Sequence, residues 1–437
     1  MMIGEDTMSC TRRDFLKATL GTSALLSSAA PNVLFQAAAG ASRRDNGQTV
    51  LVVIQLSGGN DGLNTVVPYG DDEYARNRPT LALSPKELHK INAMVGFHPR
   101  MGAFKRLYDE GQLSVIQGVG SPKFEDSHEG AMRIWHTGDP DRTNRQTGWL
   151  GRVVDNIWHT DMTEAPAVFV GPITQPFALN AESVFVPSVQ SPDDLMIDKM
   201  SGDKDGQSVS ERVALLRVEG VSPSNRGQDA RDTLRQHDSL LDFLHCCTFR
   251  AHTNTRRIEA VTKSATNSTG YPSFLLASTL HTIAQLIRAD IGIRIFFAEL
   301  GGGGIGGFDN HANQRGNHCA LLHQLSESVA AFVDDLKHDK LLDRVLLMTF
   351  SEFGRTVKEN GRRGTGHGAA APIFLAGGKL KGGLVGKRPS LTNLKNGAPK
   401  VHIDFRRVYA TVLDRWLGFE SKPVLGKQFE LLDILNV

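Results

Sequence analysis

The run Thr49-Val-Leu-Val-Val-Ile-Gln-Leu56 restricts the fold more than any other feature of the chain. A continuous apolar stretch rich in β-branched residues reads as a strand buried on both faces, the situation found in parallel sheets with helices on either side. It runs directly into Ser57-Gly58-Gly59-Asn60-Asp61-Gly62, a glycine-rich turn. Further strands are expected at 113–117, 167–170, 293–299, 345–350 and 373–375. Helical periodicity lies between them. Over 319–336, Leu321, Leu325, Val329, Phe332 and Leu336 fall on one stripe. Over 405–417, Asp404 stands as N-cap and Gly418 as the C-terminal stop. Strands alternating with helices predict an α/β fold, a three-layer sandwich around a mostly parallel central sheet. Residues 188–235 are rich in Ser, Asp, Gly, Lys and Arg and lack apolar periodicity, which predicts an insertion or lid. The Gly-Gly pairs within 377–387 predict a hairpin near the end of the sheet.

The N-terminus points to the compartment. Thr11-Arg12-Arg13-Asp14-Phe15-Leu16-Lys17 precedes an apolar stretch over 18–34 and then Ala37-Ala38-Ala39-Gly40-Ala41. A charged segment, a short apolar segment and small residues for a peptidase form a twin-arginine signal peptide over 1–41. The partner it implies is the twin-arginine translocase. The expected location is the periplasm or another extracytoplasmic space of a bacterium, with 42–437 as the mature domain. No later stretch is apolar enough to predict a stable membrane span. The net charge of +2 does not suggest nucleic acid as a partner. Cys246, Cys247 and Cys319 remain after the signal and do not make a disulfide framework.

Ligands of open α/β sheets bind at the carboxyl ends of the strands, so the polar residues that follow strands are the candidates. Asp61 follows the first strand; Asp309 and His311 follow the strand at 293–299 through a glycine-rich loop. Ser351, Glu352 and Arg355 follow the strand at 345–350. His367, in Gly364-Thr365-Gly366-His367-Gly368, precedes its strand, so its place is harder to assign. Carboxylates and imidazoles gathered in this way are the ligand set of a divalent metal such as zinc, manganese or calcium. Each residue also has a plainer reading: Asp61 as a turn former, His367 as a hydrogen-bonding group. Ser127, in Asp126-Ser127-His128-Glu129, reads equally as the N-cap of a short helix over 129–135 and as a nucleophile.

Two patterns mislead. The run Gly302-Gly303-Gly304-Ile305-Gly306-Gly307 matches a dinucleotide fingerprint, yet no helical pattern opens at its end. His245-Cys246-Cys247 lacks a partner pair at zinc-site spacing.

At these same residues the chain resembles domain-of-unknown-function family 1501, a group of twin-arginine-exported proteins in the alkaline phosphatase-like (sulfatase) superfamily. The resemblance rests on Leu56-Ser-Gly-Gly-Asn-Asp-Gly62, Ser127-His128, Trp135-His-Thr-Gly138 and Gly307-Phe-Asp-Asn-His311. It continues through Thr349-Phe-Ser-Glu-Phe-Gly-Arg355, the Gly364–Gly368 loop and the segment from Asp404 to Leu413. It implies an alkaline phosphatase-like fold and a metal-dependent hydrolase of phosphate or sulfate esters. The ligands would be Asp61, Asp309, His311, Glu352 and His367, with Ser127 as nucleophile and Arg355 on the equatorial oxygens of the transferring group. Small anionic esters are the implied substrates. The alternative is a non-catalytic exported protein that binds an extracytoplasmic polymer on the same fold. Two departures from the superfamily pattern reduce the implied ligand set: Phe353 stands where a metal-binding His is expected, and Gly366 where an Asp is usual.

Overall fold

The computed structural model describes residues 48–437 apart from 143, 159–165, 172–173, 185, 190–260, 262–269 and 302–306. The expected signal peptide, nearly all of the expected insertion at 188–235, the His245-Cys246-Cys247 run and most of the glycine run lie outside the described residues.

Nine strands of the described chain form the central sheet. They are β1 (Val50–Leu56), β2 (Leu113–Gly120), β3 (Ala167–Val170), β4 (Ser188–Val189), β5 (Ile295–Leu300), β6 (Val345–Phe350), β7 (Ala370–Gly377), β8 (Gly383–Val385) and β9 (Ile403–Asp404). Their order is β8-β2-β7-β6-β1-β5-β3-β4, with β9 paired to β2. β1 is parallel to both neighbours, with Leu56 opposite Leu300 on β5 and Gln55 opposite Phe350 on β6. Among the described strands of this sheet, only β7 runs against its neighbours, β2 and β6.

The fold is therefore the α/β sandwich with a mostly parallel sheet that the apolar run of β1 predicts. Alternate residues of β1 feed two separate cores. Val50, Val52 and Ile54 pack with α1 (Gly102–Asp109), α4 (Leu275–Ala289) and α5 (Gln314–His338). Leu51 and Val53 pack with α2 (His128–Thr137), α3 (Trp149–Trp158) and α6 (Phe405–Thr411). The period of two along the strand thus becomes two helical layers. The stripe of Leu321, Leu325, Val329, Phe332 and Leu336 is buried as expected, along a helix longer than the periodic stretch alone. The Asp404 carboxylate accepts from the Arg406 N–H, and Gly418 closes the segment at φ +74°, although the last turns over Val412–Leu417 widen to a π-helix. No described helix is long and apolar enough to cross a membrane.

The expected hairpin over 377–387 is not one. β8 pairs parallel with β2, on the far side of that strand from β7, so the connection after Gly377 passes over β2. Lys379, Lys381 and Lys387 flank this edge strand, where charge discourages pairing with another chain, and Lys381 pairs with Asp433.

The helical layer carrying α3 rests on aromatic stacking. The Trp149 ring is fully buried and lies 4.1 Å from that of Tyr409, with 18° between the planes. Trp149→Ala should lower stability by about 3–5 kcal/mol, read as a fall in the urea unfolding midpoint.

Candidate metal centre

Because β7 is antiparallel, its start lies at the same sheet edge as the carboxyl ends of β1, β5 and β6. That orientation removes the ambiguity over His367. It also brings five chain segments to one place: the turn after β1, the turn after β5, the turn after β6, the loop before β7 and the N-terminus of α2.

Close backbone approach permits this convergence. Gly58 sits at φ +110°, and a Cβ there would lie 2.4 Å from the Asp309 nitrogen. Only a glycine lets the β1 and β5 turns touch in this way. Arg355, almost wholly buried, then ties the turns together. Its Nε donates to the Gly59 carbonyl at 2.7 Å, Nη1 to Thr365 at 3.4 Å, and Nη2 to Phe308 at 3.0 Å and to the Gly58 carbonyl. Nη2 also reaches the Asp309 carboxylate at 2.8 Å. With its donors spent on these groups, Arg355 acts here as a clamp, in place of the expected contact with equatorial oxygens.

Four side chains aim ligand atoms at one point. Donor atoms of His128, Asp309, His311 and His367 all lie within 4.8 Å of one another. Asp309 Oδ1 is 2.9 Å from His311 Nε2 and 3.5 Å from His367 Nε2, and Oδ2 is 3.4 Å from His128 Nε2. The two imidazole nitrogens of His311 and His367 stand 3.0 Å apart. Two nitrogens at about 2.0–2.1 Å from a tetrahedral zinc would be roughly 3.4 Å apart, close to this spacing.

The surroundings set the protonation of the four. His367 Nδ1 lies 2.7 Å from the Asp126 carbonyl oxygen, which can only accept, so Nδ1 carries a proton and Nε2 is the atom left to face the cluster. Burial lowers the His311 pKa, opposed by Asp309 and helped by the nearby Arg355 charge. Burial works to raise the Asp309 pKa, but the Arg355 hydrogen bond and charge outweigh it and hold the carboxyl below its usual value. The hydrogen bond to Glu352 raises the His128 pKa.

Glu352 is buried behind the cluster instead of within it. Its Oε1 is 2.9 Å from His128 Nδ1 and accepts from the Gly58 N–H at 2.8 Å, and its Oε2 accepts from the Ser351 hydroxyl. That is the carboxylate–histidine arrangement that orients a metal-binding ring. Asp61 is turned into the core. Its carboxylate takes two hydrogen bonds from Arg78, one of 2.9 Å from Nη2, and further bonds from Gln314 and the Leu63 N–H. Burial raises the Asp61 pKa and Arg78 more than reverses it, so the pair is ionic and leaves Asp61 no part in the cluster. Ser127 caps α2, its hydroxyl accepting from the Gly130 N–H at 3.1 Å and standing 3.3 Å from Glu125 Oε1. Phe353 is buried against the ligands, its ring 4.2 Å from His367 and 4.9 Å from His128. Where the superfamily pattern calls for a further imidazole, an apolar wall stands.

His128 is the member that sequence reading passed over. It adjoins Ser127 at the first turn of a helix entered from the carboxyl end of a strand. That position carries the signal, which it shares with the neighbouring Ser127 hydroxyl.

In this α/β sandwich three imidazoles and a carboxylate converge at the carboxyl edge of the sheet, a donor set able to hold a metal ion. The chain is a member of the DUF1501 family, described as a protein of unknown function, whose model matches residues 48–427. No curated protein matches it in sequence. Solved structures with some similarity include the C-terminal periplasmic domain of EcEptC from Escherichia coli in complex with zinc, at 10% identity and a TM-score of 0.34 over 76% of this chain and 73% of that one. Another is a protein in the alkaline phosphatase superfamily from Vibrio parahaemolyticus, at 10% identity and 0.37 over 87% and 69%. A third is the alkaline phosphatase of the Antarctic bacterium TAB5, at 12% identity and 0.32 over 77% and 95%.

Behind the cluster a buried polar chain runs from His136 Nε2 to Gln55 Oε1 at 2.6 Å, and from Gln55 Nε2 to the Ser57 hydroxyl at 2.7 Å, which donates to Glu299. Burial pushes the His136 pKa down to about 3 from 6.5. Between those values the unfolded chain binds the extra proton, so stability falls as pH drops below 6.5. From pH 6.5 to pH 5 this one ring should cost roughly 1–2 kcal/mol. Urea titrations at the two pH values should show His136→Gln losing less stability than the natural chain by about that amount.

Proposed function

We propose that the protein is an exported hydrolase of phosphate or sulfate esters that holds one divalent ion on His128, Asp309, His311 and His367. The convergence of those four donor groups carries the reading. Three imidazoles and one carboxylate suit zinc, and manganese less well; calcium, which takes six to eight oxygen ligands, fits poorly. A single ion is proposed because Asp61 is spent on Arg78, Glu352 on His128, and Phe353 offers no donor. The twin-arginine segment supports delivery to an extracytoplasmic space by the twin-arginine translocase.

When bound, the ion would supply a Lewis acid for an anionic ester oxygen and lower the pKa of a nearby hydroxyl. The residues of the chain do the rest. Arg355 keeps Asp309 ionised and the turns in place. Glu352 sets the face of the His128 ring, and the Asp126 carbonyl fixes the tautomer of His367. Ser127 offers the nucleophilic oxygen and Glu125 takes its proton, while the bond from phosphorus or sulfur to the ester oxygen breaks and the leaving oxygen departs as an anion that takes a proton from solvent water to become the alcohol. Water then releases the phosphate or sulfate from the serine.

One observation favours a second reading, a protein that binds an anionic polymer at the same ion without turnover. The Ser127 hydroxyl is already engaged as a helix cap, and the Arg355 donors are engaged as well.

Elemental analysis of the purified protein should find near-stoichiometric zinc or manganese, lost in Asp309→Ala/His367→Ala. Aryl phosphates or aryl sulfates should be hydrolysed only by the loaded protein. No metal in either, after reconstitution, would overturn the proposal; metal without turnover would leave the binding reading. In a separate titration Glu352→Gln should weaken metal affinity about 10–100-fold while leaving all four ligands in place.

A further inference from the structure

The loop before β7 forms a basic lip beside the metal centre. Asn360 Nδ2 donates to the His311 carbonyl at 2.9 Å, and a Cβ on Gly364 would lie 2.2 Å from the His311 carbonyl carbon. The loop therefore lies against the backbone of a proposed ligand. Between those two contacts stand Arg362 and Arg363, both exposed. Their carbonyls accept from the Asn313 and Gln314 N–H groups at 3.0 Å, which sets Arg315, also exposed, on the adjoining segment. No ion pair engages any of the three guanidiniums among the described residues. Glu359, the only acid between residues 358 and 366, accepts instead from the Thr80 hydroxyl and from the Thr80 and Leu81 N–H groups.

Local energetics do not account for these cations. Arg363 sits at φ +60°, a left-handed conformation that glycine or asparagine adopts more readily. Arg315 is the second residue of α5, where the positive end of a 25-residue helix disfavours a cation, and that first turn holds no acidic residue. Around His128, at the start of α2, the charge reverses, with Glu125, Asp126 and Glu129 exposed. An anionic chain at the centre is thus drawn over one lip and repelled from the other. A single exposed contact contributes little, so the lip favours an occupant whose charges repeat. Arginine forks match the oxygens of sulfate and phosphate alike. We propose that the substrate is a polyanionic chain carrying several sulfate or phosphate esters, one ester at the four ligand side chains and its neighbours on Arg315, Arg362 and Arg363. The placement of the first ester rests on the metal reading; the binding to the arginines does not.

Equilibrium binding of the purified full-length chain to dextran sulfate, dextran phosphate and unsubstituted dextran of matched length tests it. Both esterified polymers should bind at least tenfold more tightly than dextran, and the tighter of the two names the ester. Arg315→Gln/Arg362→Gln/Arg363→Asn, with asparagine chosen to suit the positive φ, should lower that affinity at least tenfold. It should also reduce the slope of log affinity against log salt by about 2. Lys379→Gln/Lys381→Gln/Lys387→Gln, which removes the same charge around the edge strand β8, should change neither quantity. Equal affinity for dextran, unchanged binding in a folded arginine variant, or an equal loss in the lysine variant would overturn the proposal. Added zinc should tighten polymer binding several-fold in the natural chain and not in His367→Ala. Zinc that binds the protein without tightening the polymer would overturn the path across the centre. A chain that holds no zinc yet binds the polymer through its arginines would instead overturn the metal reading and leave the lip in place.

Discussion

The candidate centre depends on one buried guanidinium. Arg355 gathers carbonyl oxygens from the turns after β1 and β5 and from the loop before β7, then adds the Asp309 carboxylate. None of those carbonyls has a partner in a regular ladder at the sheet edge, where strands end and backbone groups must find other donors. A single planar fork satisfies several of them and fixes the distances between segments far apart in sequence. A lysine could not do so, because its ammonium is a compact charge without the planar spread. Three of the four cluster side chains are held from behind: Asp309 by Arg355, His128 by Glu352, His367 by the Asp126 carbonyl.

A second buried cation does comparable work below the surface. Arg78 saturates Asp61 and also reaches the Asn64 side chain and the carbonyls of Thr356 and Val357. It links the start of the chain's first turn to the segment that leads away from Arg355. A buried ion pair of this kind contributes less to net stability than to a defined geometry, since desolvation offsets much of the attraction. The acid after the first strand thus becomes part of the foundation of the site.

Much of the layer structure could be read from apolar runs, because burial on both faces leaves a strong mark on composition. β1, β3 and β6 begin or end within a residue of the expected places, and the long helix α5 shows its stripe. The direction of β7 left no such mark. Parallel and antiparallel strands in a covered sheet bury the same residue types, so pairing partners decide the direction. The same limit led to the expected hairpin before β8. At the site, Asp309, His311 and His367 could be recognised from their places after turns, whereas the roles of Asp61, Glu352 and Arg355 could not. Whether a carboxylate meets an imidazole, a guanidinium or open water depends on partners 17 to 224 positions away, and nothing in its immediate neighbourhood records that.

A ribbon of two-residue strands has a consequence for how the centre is maintained. Gly354–Arg355 pairs antiparallel with His367–Gly368, and its register sets Arg355 opposite His367. The clamp and a ligand are thus read out by the same two rungs. A slip of one residue would send alternate side chains to opposite faces, removing the guanidinium from its carbonyls and the imidazole from its companions in a single movement. The centre is therefore protected against gradual loosening but exposed to an all-or-none error of alignment. At Gly354 a Cβ would lie 1.9 Å from the Ala370 oxygen, so a slip that set a residue with a side chain there would clash with the start of β7.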